Sequence, residues 1–162
     1  MIEIIEKKGT GRITNEMRVE FAAVSDNESF ARMAIAAFIT PLNPTMEELS
    51  DVKTAVSEAV TNSIIHGYEN QGNLEDKVRM DCRLKGDVLE VEITDQGVGI
   101  EDIRQAMEPL YTTRPELDRS GMGFAFMEAF MDHLEVISEP DIGTCIKMCK
   151  KLGISSWIDS EE

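Results

Sequence analysis

Basic residues are scarce in this chain, and so are rings and thiols. Sixteen Lys and Arg stand against thirty-one Asp and Glu, a formal net charge of −15 over 162 residues. That surplus repels nucleic-acid phosphates and anionic lipid, which excludes direct nucleic-acid binding short of a strongly segregated basic patch. A basic protein partner suits the charge better, because complementary fields speed encounter. Taken alone, the charge explains solubility and nothing more. Aromatic residues make up 6% of the chain, so the core must be built from Ala, Val, Ile, Leu and Met.

The thiols are Cys82, Cys145 and Cys149, odd in number and without a C-x-x-C pair. Cys145 and Cys149 fall in a strand-like segment, where residues four apart share a face at too great a distance for a disulfide. Reduced thiols are expected. His66 and His133 are the only histidines, neither at ligand spacing from a cysteine, which argues against zinc. No apolar run approaches the ~20 residues of a spanning helix. The start, Met1-Ile2-Glu3-Ile4-Ile5-Glu6, has neither the basic region nor the apolar run of a signal peptide. A cytoplasmic protein with no membrane contact is the expectation, and the length allows one domain.

Along the chain, residues 1–14 read as an N-terminal extension, 15–150 as the folded domain and 151–162 as an acidic tail. Met17, Val19 and Phe21 alternate with charged residues as a half-buried strand does. Helix caps are available at 25–28, and Phe30, Met33, Ala34, Ala37 and Phe38 follow at helical spacing until Pro41 and Pro44 end the segment. A capping box at Thr45 opens a second helix that runs to about Tyr68, with Val52, Val56, Ala59 and Val60 as its buried stripe. Strands are expected at 78–84 and 88–94 as a hairpin, then a short helix at 101–107 and a polar loop at 108–120. A helix from 123 to about 132 and a strand pair at 134–138 and 144–148 complete the pattern. This is an α/β two-layer sandwich: a mixed, mostly antiparallel sheet with helices on one face.

Three motifs lie on this frame in order: Glu58-x-x-x-Asn62, Asp95-x-Gly97-x-Gly99 and Gly121-x-Gly123. Glu58 and Asn62 are one helical turn apart and project together from the border of the apolar stripe. An Asn carbonyl suits magnesium, which prefers oxygen ligands, and a Glu one turn earlier is placed to take a proton beside that metal. On its own this pair is ordinary on a solvated helix. Asp95 leaves a strand and enters a glycine turn where backbone can approach a ligand, and its carboxylate can accept from an exocyclic amine such as that of adenine. Ser120-Gly121-Met122-Gly123 opens a helix whose free N–H groups suit phosphate, with Arg119 beside it for a terminal phosphate. The loop between the two glycine motifs has the length and polarity of a lid.

These boxes resemble the GHKL (Bergerat-type) ATPase superfamily. Within it, residues 56–68 around Glu58 and Asn62, the lid segment 109–117 and residues 119–124 are similar to the sporulation anti-sigma F factor family. The resemblance covers roughly 15–150. It implies a protein serine kinase with ATP and Mg2+ as cofactors, which holds a sigma factor inactive and phosphorylates a serine of an anti-anti-sigma partner, acting as a homodimer. Carried across, Glu58 is the base and Asn62 the metal ligand. Asp95 reads adenine with Thr144 near it, and Gly97, Gly99, Ser120, Gly121, Met122 and Gly123 accommodate the nucleotide. Arg119 approaches the γ-phosphate. The first fourteen residues depart from the family pattern. Two alternatives stay open: a general-stress-type anti-sigma kinase, which uses the same boxes, and a nucleotide-gated sigma-binding module without catalysis, which leaves Glu58 unexplained. A detached histidine-kinase catalytic domain ranks lower, because the chain has no phosphoacceptor helix pair.

Overall fold

Alternation along the strands sorts the side chains onto two unlike faces. Val78, Met80, Cys82 and Leu84, and Leu89, Val91 and Ile93, are all buried on one side, while Arg79, Arg83, Lys85, Glu90 and Glu92 line the other. In the computed structural model, residues 11–109 and 122–153 are described. Their strands are β1 (Ile13–Ala22), β2 (Lys77–Lys85), β3 (Val88–Asp95), β4 (His133–Glu139) and β5 (Gly143–Lys151). The sheet order is β1-β2-β3-β5-β4. Every pairing is antiparallel, so the described sheet lacks the parallel pair that a mixed sheet would contain. The β2–β3 hairpin turns through Gly86 and Asp87, with Lys85 opposite Val88 and Gly86 at φ +59°.

Among the described residues four α-helices accompany the sheet: α1 (Asp26–Ile39), α2 (Met46–Asn62), the single turn α3 (Ile103–Ala106) and α4 (Gly123–Phe130). The capping box of α2 is present as its sequence requires. Thr45 Oγ1 accepts from Glu48 N at 3.1 Å, and Glu48 Oε2 accepts from Thr45 N at 2.9 Å. Val52, Ala55, Val56, Ala59 and Val60 of α2 are fully buried against the sheet and the neighbouring helices.

On α1 only part of the apolar series at helical spacing is buried. Ala31, Ile35, Phe38 and Ile39 face the core, whereas Phe30 is 50% and Met33 67% exposed, and Ala37 is exposed beside them. The helix is apolar around most of its circumference, so its 3.6-residue period admits two overlapping stripes and cannot choose between them. Packing chooses. Phe30 keeps one edge contact, with Phe21 of β1, at a centroid distance of 6.0 Å and 76° between planes.

The far face of the sheet is laced with ion pairs, including Lys85–Glu90 at 3.0 Å and Lys147–Glu92 at 3.7 Å. Asp81, though buried, is held by the guanidinium groups of Arg18 and Arg79. Leu152, just past β5, is 1% exposed, and Gly153 N donates to Glu48 Oε2 at 3.0 Å. No described helix is long and apolar enough to cross a membrane.

Candidate functional site

The helix of the Glu–Asn pair does not end as a plain α-helix. After Asn62 its last turn, Ser63–Gly67, widens to a π-helix, with Tyr68 N donating to Ser63 O at 3.0 Å. Such turns cluster at functional sites because they re-aim the backbone that follows. Here the wider turn brings Gly67 against the Asp95 side chain: a β-carbon at Gly67 would lie 3.0 Å from Asp95 Oδ1.

Asp95 ends β3 and is buried, at 4% exposure. Burial pushes its carboxyl above the usual carboxylate range, and the Gly97 N–H, the Ser63 hydroxyl and the Thr144 N–H partly offset that push. The Gly97 N–H donates to Oδ1 at 2.9 Å. Ser63 Oγ lies near enough to Asp95 to favour its charge, yet it is buried without a partner at hydrogen-bonding geometry. A buried carboxylate beside an unsatisfied hydroxyl is the chemistry that a base edge, with its adjacent donors and acceptors, would complete. The residues therefore fit an adenine nucleotide at this end of the site. Among the described residues no cluster of three His, Cys, Asp or Glu side chains forms a metal cage. Magnesium asks for none, since it keeps several waters and takes one or two protein oxygens. Asn62, half-buried at the end of α2, can supply one.

The glycines of the first turn have a role that the sequence did not assign. A β-carbon at Gly97 would lie 2.2 Å from Gly67 O, and the neighbouring Val98 N donates to that same carbonyl at 2.9 Å. Gly99, at φ +73°, would place a β-carbon 2.2 Å from Glu139 O. Both therefore permit two backbone crossings, one with the end of α2 and one with the β4–β5 turn. Asp141 N fastens the second crossing by donating to Val98 O at 2.7 Å.

The structure brings Glu58 and Gly123 together: a β-carbon on Gly123, the first residue of α4, would lie 3.3 Å from Glu58 Oε2. Glu58 is half-buried, as its border position on α2 demands. Met122 precedes Gly123 as the N-cap of α4. Thr144 is buried opposite Asp95 in the β3–β5 register, its hydroxyl 2.7 Å from Ser138 Oγ. Arg119, Ser120, Gly121 and the lid segment 111–117 lie outside the described residues. Sequence reading missed Ser63, Gly67, Tyr68 and Ser138. The Tyr68 hydroxyl accepts from Gln96 N at 2.7 Å and donates to Lys77 O at 2.6 Å, tying the end of the π turn to β2 and to the glycine turn. Ser138 Oγ accepts from Ile100 N at 2.8 Å, bracing the other side of that turn. The only signal for the first three was their place just past the Glu–Asn pair.

Comparison with known proteins bears on the family and the fold. The family described as the histidine kinase-like ATPase domain matches residues 21–150. An anti-sigma F factor of Oceanobacillus iheyensis is 58% identical over 144 residues, covering 89% of this chain and 97% of the relative. That of Bacillus subtilis is 54% identical over 141 residues, covering 87% and 95%. Among solved structures, the RsbU and RsbW domains of Rv1364c from Mycobacterium tuberculosis give a TM-score of 0.62 at 17% identity, over 86% of this chain and 33% of that one. The SiaB-SiaC complex of Pseudomonas aeruginosa gives 0.51 at 13% identity, over 93% and 96%. At those identities the two structures speak for the fold, while the sequence relatives speak for descent: the chain belongs to the anti-sigma F factor family, within the histidine kinase-like ATPase domains.

Proposed function

We propose that this protein holds a sporulation sigma factor inactive and, with ATP, phosphorylates a serine of its anti-anti-sigma partner. The observation that carries the catalytic half is Glu58 set against the start of α4. A module that only bound nucleotide would need the Asp95 end of the site and the glycine turns, and would leave that carboxylate without a task. ATP, with Mg2+ held through Asn62, would supply the phosphoryl group. Glu58 takes the proton from the attacking serine hydroxyl, and Asp95 with Ser63 and Thr144 fixes the base edge. Gly97 and Gly99 keep the turn in place. Ser120, Gly121, Met122 and Gly123 border the phosphates, and Arg119 neutralises charge at the transferred group.

The same reading makes the protein a cytoplasmic homodimer. The exposed stripe of Phe30, Met33 and Ala37 on α1 lies beside the open edge of β1 and is joined to that strand by the Phe21–Phe30 contact. A two-fold axis would lay this stripe on its copy. The charge of −15 favours a basic surface on the sigma partner.

The test mixes the protein with Mg2+, labelled ATP and an anti-anti-sigma protein, and follows label onto serine. Transfer that drops by ~10²–10⁴ in Glu58→Ala supports the assignment. Bound ATP with no transfer in the wild type would favour the nucleotide-gated module instead.

A further inference from the structure

The helix-facing row of β5 runs Thr144, Ile146, Met148, Lys150. Three of these are buried side chains of the core or the site, and the fourth is a lysine with only 13% of its side chain exposed. A charge placed there must be answered. Lys150 Nζ donates to Phe130 O at 2.8 Å, and Phe130 is the last residue of α4. The same nitrogen lies 3.8 Å from Asp51 Oδ2 on α2 and 3.9 Å from Asp132 Oδ1. Cations are favoured at helix C-termini, where unsatisfied carbonyls gather.

Asp51 and Glu58 are seven residues apart on α2, hence about 10.5 Å along its axis and on one face. Gly123 and Phe130 span the same seven residues of α4, with Gly123 against Glu58 and Phe130 at the lysine that pairs with Asp51. The two helices therefore run antiparallel in register. One end of the register is the Glu58–Gly123 approach, and the other is the Lys150 junction.

We propose that Lys150 is a positioning residue that sets the register of α4 along α2, and so fixes the distance between Glu58 and Gly123, the first residue of α4. It rests on the kinase reading only for its catalytic consequence. The contacts at Lys150 are with Phe130, Asp51 and Asp132 rather than with Asp95, Ser63 or Thr144, so nucleobase binding is expected to survive loss of this junction.

The experiment compares wild type with Lys150→Met, Lys150→Arg and Asp51→Asn by two measurements. Hydrogen exchange on the nucleotide-free protein is expected to rise across Gly123–Phe130 in Lys150→Met, with that of Met46–Asn62 unchanged. Steady-state transfer to the anti-anti-sigma protein is expected to lose roughly ten- to a hundredfold in kcat, the scale of a small misplacement of reacting groups. The KM for ATP should stay within about twofold, as expected when only transition-state interactions are lost. Lys150→Arg, which keeps the charge and a donor, restores both, and Asp51→Asn gives an intermediate loss. Unchanged exchange in α4 of folded Lys150→Met would overturn the register role. Loosened α4 with undiminished kcat would overturn its link to catalysis. A wild type that transfers no phosphate defeats the kinase reading, while the exchange arm still decides the register role.

Discussion

A β-carbon at Gly123 would sit 3.3 Å from Glu58 Oε2, so the first residue of α4 meets the α2 carboxylate with room for a hydrogen and little else. Gly123→Ala is thus informative. Alanine is the better helix former by roughly 0.5–1 kcal/mol, so thermal stability should hold or rise. The added methyl displaces the carboxylate, and serine phosphorylation should fall roughly tenfold or more. Calorimetry and a transfer assay on one preparation decide it, and a full-rate enzyme would show that Glu58 does not act from this position.

Asp95 sets function against stability. Burial raises its folded-state pKa, so the charge on Asp95 subtracts from folding stability where the carboxyl is ionised. Asp95→Asn removes that charge and keeps an oxygen for the Gly97 N–H, so the variant should melt at or above the wild-type temperature at pH 7 while losing adenine-nucleotide affinity. For an acid with a raised folded pKa, the penalty is absent below the unfolded pKa and grows as pH rises through the folded one. The gap in Tm between variant and wild type should therefore narrow on acidification from pH 7. A gap that widens towards low pH contradicts the assignment.

Two glycines with different surroundings separate steric need from turn preference. Gly97→Ala would drive a β-carbon to 2.2 Å from Gly67 O, and backbone cannot yield there without opening the site. A loss of about 3 kcal/mol or more is expected, together with nucleotide binding. Gly86→Ala meets nothing within 4 Å and bears only the strain of φ +59°, about 1–2 kcal/mol, with binding intact. Denaturant melts of the two variants should differ accordingly. Equal losses would mean that the Gly67–Gly97 crossing is not tight.

Burial, with Asp81 adjacent, pushes the Cys82 thiol from 9.0 up to about 12. At pH 8 its thiolate fraction is on the order of 10⁻⁴, so native protein should leave Cys82 unlabelled by an alkylating reagent until it unfolds. The raised value contributes stability that is complete below pH 9.0 and is lost as pH climbs towards 12. Cys82→Ala should lose less stability over that alkaline interval than wild type does. Rapid native labelling at Cys82 would show that the strand opens.

Much of the frame was legible because its signals are local. The capping box at Thr45, the α2 stripe and the hairpin across 85–87 depend on neighbours in sequence, and each is present, though Lys85 joins the strand and leaves a two-residue turn. Phe30 and Met33 were legible as helical but their exposure was not, because a helix apolar on two arcs carries no record of which arc the sheet will cover. Asp95 was legible as a carboxylate beside glycines. The reason for those glycines was not, since Gly67 and Glu139, the backbones they cross, are distant in the chain. Ser63 and Lys150 were missed for the same cause: a hydroxyl and a lysine acquire meaning only from what folding places against them.

The helix α2 at once buries Val52, Ala55, Val56, Ala59 and Val60 in the core and carries Glu58 and Asn62 on its border. Its inner residues cannot change without loosening the core, and its border residues cannot change without altering the chemistry. Substitutions on α2 are therefore expected to cost more than those on exposed helix faces, since one helix serves both the core and the proposed nucleotide site. An engineer redirecting this scaffold would do well to leave both residues 52–67 and the exposed stripe of α1 untouched.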